Sequence, residues 1–223
     1  MTVQIRLAKG EEDIDIVQTI YNSKENVNYL GGFTLRHSID LKTQTNDIII
    51  ASLDGKDVAA SEIGRNGTQR TALQLVAVLE DYRRNHLASK MYYTWTLLSA
   101  MQGRLHLTDH IIENNPVMPH VLPTLGFKHV AGLRSKVRRH HTMNLWCYDL
   151  YTNGLSPFSN RINEIGNDIE FNDNLKWTIE GTRGIDNLEK NWNILKSLGK
   201  TPDILQVNYL DAKRILGWEI ESE

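Results

Sequence analysis

The sequence contains little cysteine and no long apolar run. Cys147 is its one cysteine, which excludes an intramolecular disulfide and a cysteine-rich metal site. Such cysteine usage favours a reducing cytoplasm. No apolar stretch approaches the roughly 20 residues that span a bilayer, and the first residues lack the basic region and apolar core of a secretory signal. We therefore expect a soluble cytoplasmic protein with no membrane partner.

Acidic residues are missing from one long stretch, although the whole chain carries a formal net charge of -2. No Asp or Glu occurs between Glu113 and Asp149. The same stretch holds a cluster of basic residues and histidines: Lys128, His129, Arg134, Lys136, Arg138, Arg139, His140 and His141. This basic stretch, residues 128–141, suits an anion such as a cofactor phosphate or a nucleic acid. A solvated hairpin whose charges pair with acidic residues elsewhere explains it equally well.

Length and composition indicate a globular protein. A chain of 223 residues suits one large domain, or one domain with an appendage. Hydrophobic residues make up 40% of the chain and charged residues 23%, which is the usual composition of a soluble domain.

Hydrophobic periodicity predicts alternating strands and helices up to about residue 150. Strand patterns cover 3–8, 47–53, 58–64, 70–79, 104–111, 128–135 and 142–150. One helix is predicted to begin at the acidic run 11–13, and others cover about 33–42 and 87–102. The prolines at 116, 119 and 123 indicate a short helix or a turn. Turn signals stand at Asp54-Gly55 and Asn66-Gly67. This order predicts an α/β fold with a mixed central sheet and helices on both faces.

The pattern changes after residue 150. Asn, Gly, Ser and Asp become frequent up to Asn174, and amphipathic helices are predicted over 186–198 and 203–215. We therefore predict a main domain over 1–150 and a C-terminal helical appendage over 151–223.

The most informative segment is Leu75–Ala88, where a buried strand runs through a short polar loop into a helix. A loop at a helix N-terminus offers unpaired backbone N–H groups at the positive end of the helix dipole. Such a loop suits a pyrophosphate, which coenzyme A carries.

This segment resembles the acetyl-CoA signature of the GNAT N-acetyltransferases, R/Q-x-x-G-x-G/A preceded by a tyrosine. Tyr82, Arg83 and Ala88 match, whereas His86 stands where the family usually has glycine. Glycine lets the backbone approach the pyrophosphate, so a histidine narrows the loop, requires another backbone path, or donates to a phosphate itself. The resemblance implies acetyl-CoA as cofactor. The cofactor-binding residues that it implies are Val76, Ala77, Val78, Arg83, Arg84, Asn85, His86, Leu87, Ala88 and Asn115.

A second part of the resemblance lies downstream. The family often shows Asn, a tyrosine seven residues later, and then Gly-Phe. Here Asn115 is followed by Leu122 and by Leu125-Gly126-Phe127. In many family members the tyrosine is the general acid that protonates the leaving thiolate, and Leu122 cannot do this. The two motifs and the strand pattern together extend the resemblance over about residues 3–150.

Candidate catalytic residues lie near the strand ends that surround the thioester in this family. A general base helps to free an acceptor amine. Glu62 lies near the end of the third predicted strand, Glu80 follows the signature strand, and His110 stands late on the fifth strand. Because strand side chains alternate, we expect one of Asp109 and His110 to face the cleft. Each candidate also has a purely structural explanation, as a solvated strand residue, a loop charge or a structural histidine.

The resemblance implies an acetyltransferase that passes an acetyl group from acetyl-CoA to an amine acceptor by direct attack. The acceptor, which the sequence does not identify, is a small molecule, a peptide or an amine carried on a nucleic acid. Two alternatives remain open. The first is a GNAT-fold enzyme that modifies a nucleic acid through the basic stretch 128–141, and the second is a non-catalytic acyl-CoA-binding protein. The sequence leaves the oligomeric state open, a homodimer included.

Overall fold

A computed structural model of the chain describes residues 2–30, 32–45, 47–65, 70–101, 106–113, 115–134, 142–154, 156–166 and 169–171. Several sequence predictions fall outside these residues. They are the turn at Asn66-Gly67, the part of the basic stretch from 135 to 141, and the helices over 186–198 and 203–215.

The described residues form eight strands and seven α-helices. The strands are β1 Val3–Leu7, β2 Ile48–Leu53, β3 Lys56–Arg65, β4 Arg70–Val78, β5 His106–Ile112, β6 Lys128–Arg134, β7 Thr142–Asp149 and β8 Ile169–Phe171. The helices are α1 Gly10–Tyr21, α2 Lys24–Leu30, α3 Arg36–Gln44, α4 Leu87–Met101, α5 Met118–Thr124, α6 Leu150–Asn153 and α7 Ser156–Ile165. A 3-10 turn, Glu80–Tyr82, separates β4 from the loop that leads into α4.

The strands form one sheet in the order β6-β7-β5-β4-β3-β2-β1-β8. Neighbouring strands run antiparallel except for β4 with β5 and β1 with β8, which are parallel. The predicted mixed α/β sheet is therefore confirmed.

Side-chain alternation along the strands builds a hydrophobic core on each face of the sheet. In β2, Ile49 and Ala51 join the cluster that contains Trp95 of α4, whereas Ile48 and Ile50 join the cluster that contains Val17 of α1. Because successive strand side chains point to opposite faces, a strand that is apolar throughout requires helices on both sides. The predicted placement of helices on both faces follows from this pattern.

The predicted hairpin is present and the predicted helix over 33–42 is displaced. Asp54 and Gly55 both adopt positive φ, 50° and 78°, as in the mirror-image turns that join twisted strands. Two helices, α2 and α3, occupy the region between α1 and β2, and the sequence pattern missed the first of them.

The sheet opens between β4 and β5. These strands pair only from Arg70 to Ala72 with His106 to Thr108. Beyond that point β4 bulges, with Leu75 at φ 51° and a register shift against β3 between Ala60 and Glu62. A bulge bends its strand and leaves ladder groups unpaired, so the two strands diverge and a cleft opens between them.

Residues beyond 150 also join this sheet and its core. Phe158 of α7 is fully buried, with its ring centroid 4.9 Å from that of Tyr148 and 6.0 Å from that of Phe127. β8 pairs with β1 at the opposite edge of the sheet from β6. The division at residue 150 remains a prediction, and the first part of the predicted appendage packs directly on the main sheet.

Candidate functional site

Two cavities meet where β4 and β5 diverge. The larger, here the strand cavity, has a volume of ≈ 720 Å³, and its lining includes Glu62, Gln74, Asp109 and His110. The smaller, here the loop cavity, has a volume of ≈ 430 Å³ and is lined by the loop before α4 and by residues of α5. Four residues line both cavities: Tyr29, Val76, Asn115 and Met118. The two cavities are therefore adjoining parts of one cleft.

The loop before α4 has an unusual backbone. Arg84 and His86 both have positive φ, 66° and 57°. The side chain of Asn85 donates to the carbonyl of Tyr82 at 3.0 Å, and the His86 carbonyl accepts the N–H of Lys90 at 3.1 Å, which starts α4. The N–H groups of residues 87–89, which precede Lys90, have no intrahelical acceptor and lie at the positive end of the helix dipole. This geometry suits an anion.

His86 adopts the left-handed conformation that glycine enters without strain. The loop therefore follows a backbone path open to glycine despite the substitution. Burial lowers the pKa of the His86 imidazole, and the charges of Arg161 and Lys90 lower it further. His86 is thus mainly neutral at pH 7, with a ring N–H available as a donor.

Arg83 holds α2 against this loop. Its Nε donates to the carbonyl of Val78 at 3.3 Å, and its Nη2 donates to Oδ1 of Asn26 at 3.1 Å. The guanidinium also lies 4.7 Å from the ring centroid of Tyr29. These contacts fix the Arg83 side chain between α2 and the loop, and they hold Tyr29 at the junction of the two cavities.

The strand cavity contains an ion pair and a buried carboxyl. Glu62 Oε1 lies 2.8 Å from Lys42 Nζ, and Glu62 stands opposite Gln74 in the β3–β4 register. The Tyr92 hydroxyl donates to Oδ2 of Asp109. Burial raises the pKa of Asp109 well above its ordinary value, which favours the neutral carboxyl at neutral pH.

Asp109 and His110 both belong to the lining of the strand cavity, Asp109 buried and His110 half-buried. Side chains alternate along β5, so which of the two faces the cleft remains a prediction.

The other sequence candidates have different positions. Glu80 is exposed at the start of the 3-10 turn and lines neither cavity. Leu122 is fully buried in the core beneath α5 and lines neither cavity either. Asn115 accepts the N–H groups of Val117 and Met118 at 2.9 Å with its Oδ1, and so caps α5 beside the cleft.

The predicted cofactor segment of β4 and α4 lies largely in the loop cavity. Val76 and Val78 line it, whereas Ala77 is buried and points into the core on the α1 side of the sheet. Five further predicted cofactor residues, from the loop and α4, join Val76 and Val78 in that lining: Arg83, Arg84, His86, Leu87 and Ala88. Asn85 does not line the cavity, and its side chain bonds the carbonyl of Tyr82 instead.

Sequence reasoning missed several residues that line the cleft, Tyr29, Ser38 and Arg161 among them. Tyr29 and Ser38 come from α2 and α3, and Arg161 comes from α7. The sequence signal for α2 is weak, because the helix has only seven residues and its apolar pattern is limited to Tyr29 and Leu30 at its end and one valine. No group of three or more metal-ligating side chains occurs among the described residues. No helix in the same part of the chain is long and apolar enough to cross a membrane.

The architecture matches solved GNAT structures. An N-acetyltransferase from Staphylococcus aureus Mu50 aligns with a TM-score of 0.57 at 17% identity, over 67% of this chain and 99% of that chain. A GNAT-family acetyltransferase from Bacillus cereus aligns with a TM-score of 0.53 at 16% identity, over 67% and 98%. The ribosomal-protein-S18-alanine N-acetyltransferase from Escherichia coli aligns with a TM-score of 0.54 at 14% identity, over 66% and 93%.

No protein-family model matches the sequence, and no curated protein matches it. The structural matches and the splayed β4–β5 cleft together show that the chain has the GNAT fold. The resemblance drawn from the sequence is confirmed at the level of the fold.

Proposed function

We propose that the protein is an N-acetyltransferase that transfers the acetyl group of acetyl-CoA to an amine acceptor. The observation that carries this proposal is the junction of the two cavities between β4 and β5. One cavity has the properties of a phosphate site, and the other offers carboxyl and imidazole groups that suit an amine. A thioester at the junction would face both.

The loop cavity suits the cofactor because its lining is cationic. Arg84 and Arg161 line it, and no acidic residue is among its described lining residues. The N–H groups at the start of α4 would bind the pyrophosphate. The bulged backbone near Val76 would accept the pantetheine arm and orient the thioester carbonyl.

The strand cavity suits an amine acceptor because Glu62 lies within it. In the proposed reaction, Glu62 takes a proton from the acceptor ammonium, directly or through water. The freed amine nitrogen attacks the thioester carbonyl carbon. As the C–S bond breaks and the amide forms, the nitrogen releases its second proton to water, and the departing thiolate takes up a proton from a general acid. Lys42 neutralises Glu62 in the free protein and fixes its carboxylate. His110 is the alternative base, since it lines the same cavity.

Tyr29 is the proposed general acid for the departing thiolate. It lines both cavities, and its ring is held under the Arg83 guanidinium. Among the four residues at the junction it is the one with an acidic O–H, because Val76 and Met118 are apolar and Asn115 carries an amide. Coenzyme A is a fairly good leaving group, with a thiol pKa of about 8.5, so this help supports turnover without being indispensable.

The experiment begins with binding. Acetyl-CoA at millimolar concentration should raise the melting temperature of the full chain by mass action. A panel of small amines, peptides with free N-termini and amine-bearing nucleic acids is then screened by the release of coenzyme A thiol. A folded protein whose melting temperature does not respond to acetyl-CoA would overturn the proposal and favour a different role for the fold.

Variants then assign the chemistry. Glu62→Gln should lower kcat by about 10² to 10⁴ if Glu62 is the base, with unchanged acetyl-CoA affinity. Tyr29→Phe should lower kcat by a smaller factor than Glu62→Gln. The loss should be larger with acyl donors whose thiolate is a poorer leaving group. Glu12→Gln is the matched control, because Glu12 is exposed in the first turn of α1, away from both cavities. Full activity in Glu62→Gln would move the base to His110.

A nucleic-acid-borne amine remains the second candidate acceptor. The observation that favours it is the edge position of β6, where Lys128 and His129 are exposed at the start of the basic stretch. Binding through phosphates weakens steeply with salt. Acceptor affinity that does not change between low and high salt would argue for a small amine or a peptide. The name of the Escherichia coli structure gives an alanine of a ribosomal protein as its acceptor.

A further inference from the structure

Helix α7 brings an arginine into the wall of the loop cavity. Arg161 lines this cavity together with Arg84 and His86. Its helix is fixed in place, because Phe158 and Ile162 on either side of Arg161 are buried, at 0% and 1% exposure. Arg161 therefore reaches the cavity from a well-packed support.

The hydrogen-bonding capacity of Arg161 is only partly used. Its Nη1 lies 3.0 Å from Oε2 of Glu164, whose side chain is 65% exposed. Its Nε is buried and has no hydrogen-bond partner among the described residues. An exposed ion pair of this kind stabilises little, whereas a buried N–H without an acceptor is costly. The side chain of Arg161, which lines the cavity, therefore has hydrogen-bonding capacity that no described residue satisfies.

The surroundings favour an anionic acceptor. Arg84 is exposed and makes no hydrogen bond or ion pair within the described part of the chain. The described lining of the loop cavity contains no Asp or Glu. The carboxylate that pairs with Arg161, that of Glu164, lies outside this lining. A guanidinium presents its donors in a planar fork that matches phosphate oxygens.

We propose that Arg161 binds a phosphate group of acyl-coenzyme A, so that α7 completes the cofactor site. This inference rests on the proposed function. It adds to the loop before α4 a phosphate contact from outside the strand–loop–helix segment. Two phosphates of the cofactor have the required chemistry, the pyrophosphate and the 3′-phosphate of the ribose.

The test measures binding of coenzyme A and of 3′-dephospho-coenzyme A to the full chain by titration calorimetry. Arg161→Gln should weaken coenzyme A binding about tenfold, since a hydrogen bond to a charged group contributes at least that factor. If the partner is the 3′-phosphate, the variant and the wild type should bind the dephospho form equally. If the partner is the pyrophosphate, the tenfold loss should persist with the dephospho form.

Glu164→Gln is the matched control on the same helix. It removes the competing carboxylate, so coenzyme A should bind at least as tightly as to the wild type. Arg161→Lys keeps the charge and loses the fork, and should weaken binding by about threefold. This conservative variant carries the test if Arg161→Gln does not fold.

The outcomes separate the two proposals. A wild-type protein that binds no coenzyme A overturns the proposed function itself. The role of Arg161 is overturned if the wild type binds coenzyme A and Arg161→Gln binds it with unchanged affinity. The same conclusion follows from unchanged affinity in Arg161→Lys if Arg161→Gln does not fold. The proposed function stands in both cases. A loss in Glu164→Gln as large as that in Arg161→Gln would assign the effect to the packing of α7, and would also overturn it.

Discussion

Gly126 follows α5 and lies where the chain packs against the first turn of α7. It has φ +84°, and a Cβ placed there would lie 3.0 Å from Cε2 of Tyr148 and 3.1 Å from Cβ of Pro157. Gly126→Ala therefore combines two penalties. The left-handed backbone costs an alanine roughly 1–2 kcal/mol, and the contacts against a buried ring and the first turn of α7 add about 1–3 kcal/mol.

The expected loss in the free energy of unfolding is the sum of these terms, roughly 2–5 kcal/mol, and about 3 kcal/mol is taken as the working value. For a chain of this size it corresponds to a decrease in melting temperature of roughly 6–12 °C. Two other glycines separate the terms. Gly55 has φ +78° with nothing within 4 Å of its Cβ position, so Gly55→Ala reports backbone strain alone. Gly132 has no positive φ and its Cβ position lies 3.4 Å from Thr142 Cγ2, an ordinary contact, so Gly132→Ala should be nearly neutral.

The assay is urea unfolding followed by circular dichroism, with the three variants compared at a common m-value. The difference between Gly126→Ala and Gly55→Ala measures the steric term. If the two variants lose the same stability, Pro157 and Tyr148 do not press on this position and the reasoning is wrong. Because α7 carries Arg161, Gly126→Ala should also weaken coenzyme A binding, whereas Gly55→Ala should not.

Three further substitutions test the remaining physical arguments. In urea unfolding, the free energy of unfolding of His86→Gly should exceed that of His86→Ala by about 1 kcal/mol, because both variants lose the imidazole and only the alanine keeps the strain of the left-handed backbone. Equal stability of the two variants would contradict this strain. Leu122→Tyr should destabilise the protein by about 1–3 kcal/mol through overpacking, measured as a lower melting temperature, and should not raise turnover. Burial raises the pKa of Asp109, so the stability that its protonated form contributes is complete below the unfolded pKa, about 3.9, and is lost as the pH rises through the native value. Asp109→Asn should therefore be more stable than the wild type at pH 8 and lose this advantage near pH 4; an advantage that grows on acidification would contradict the argument.

The sequence was sufficient for elements whose signal is local. The hairpin of β2 and β3 follows from β-branched strands around Asp54-Gly55, and the loop before α4 follows from a buried strand that meets polar residues and then a helix. In these segments periodicity, turn chemistry and burial all agree.

The sequence was insufficient where a local signal is weak or the cause is tertiary. Helix α2 has seven residues and buries Asn26 and Leu30, so it shows little apolar periodicity. Helix α7 has a weak apolar pattern. Among its residues whose exposure the structure describes, Phe158 and Ile162 are the buried ones, and they stand among Asn, Ser and charged positions. The positive φ of Leu75 is imposed by the bulge and has no signal in a leucine. Tyr29 and Arg161, which depend on α2 and α7, were missed for these reasons.

The two departures from the family pattern have different physical meanings. At His86 the departure changes the energy of the loop, because the histidine adopts a glycine-like backbone and keeps the N-terminus of α4 open to an anion. At Leu122 the departure places an apolar side chain in the core. In the proposed mechanism a hydroxyl donor at the thioester comes from another element, α2, where the contacts of Arg83 hold Tyr29. The missing tyrosine of the motif is therefore compatible with catalysis in the proposed mechanism, since the acid is carried by a different helix on the same cleft.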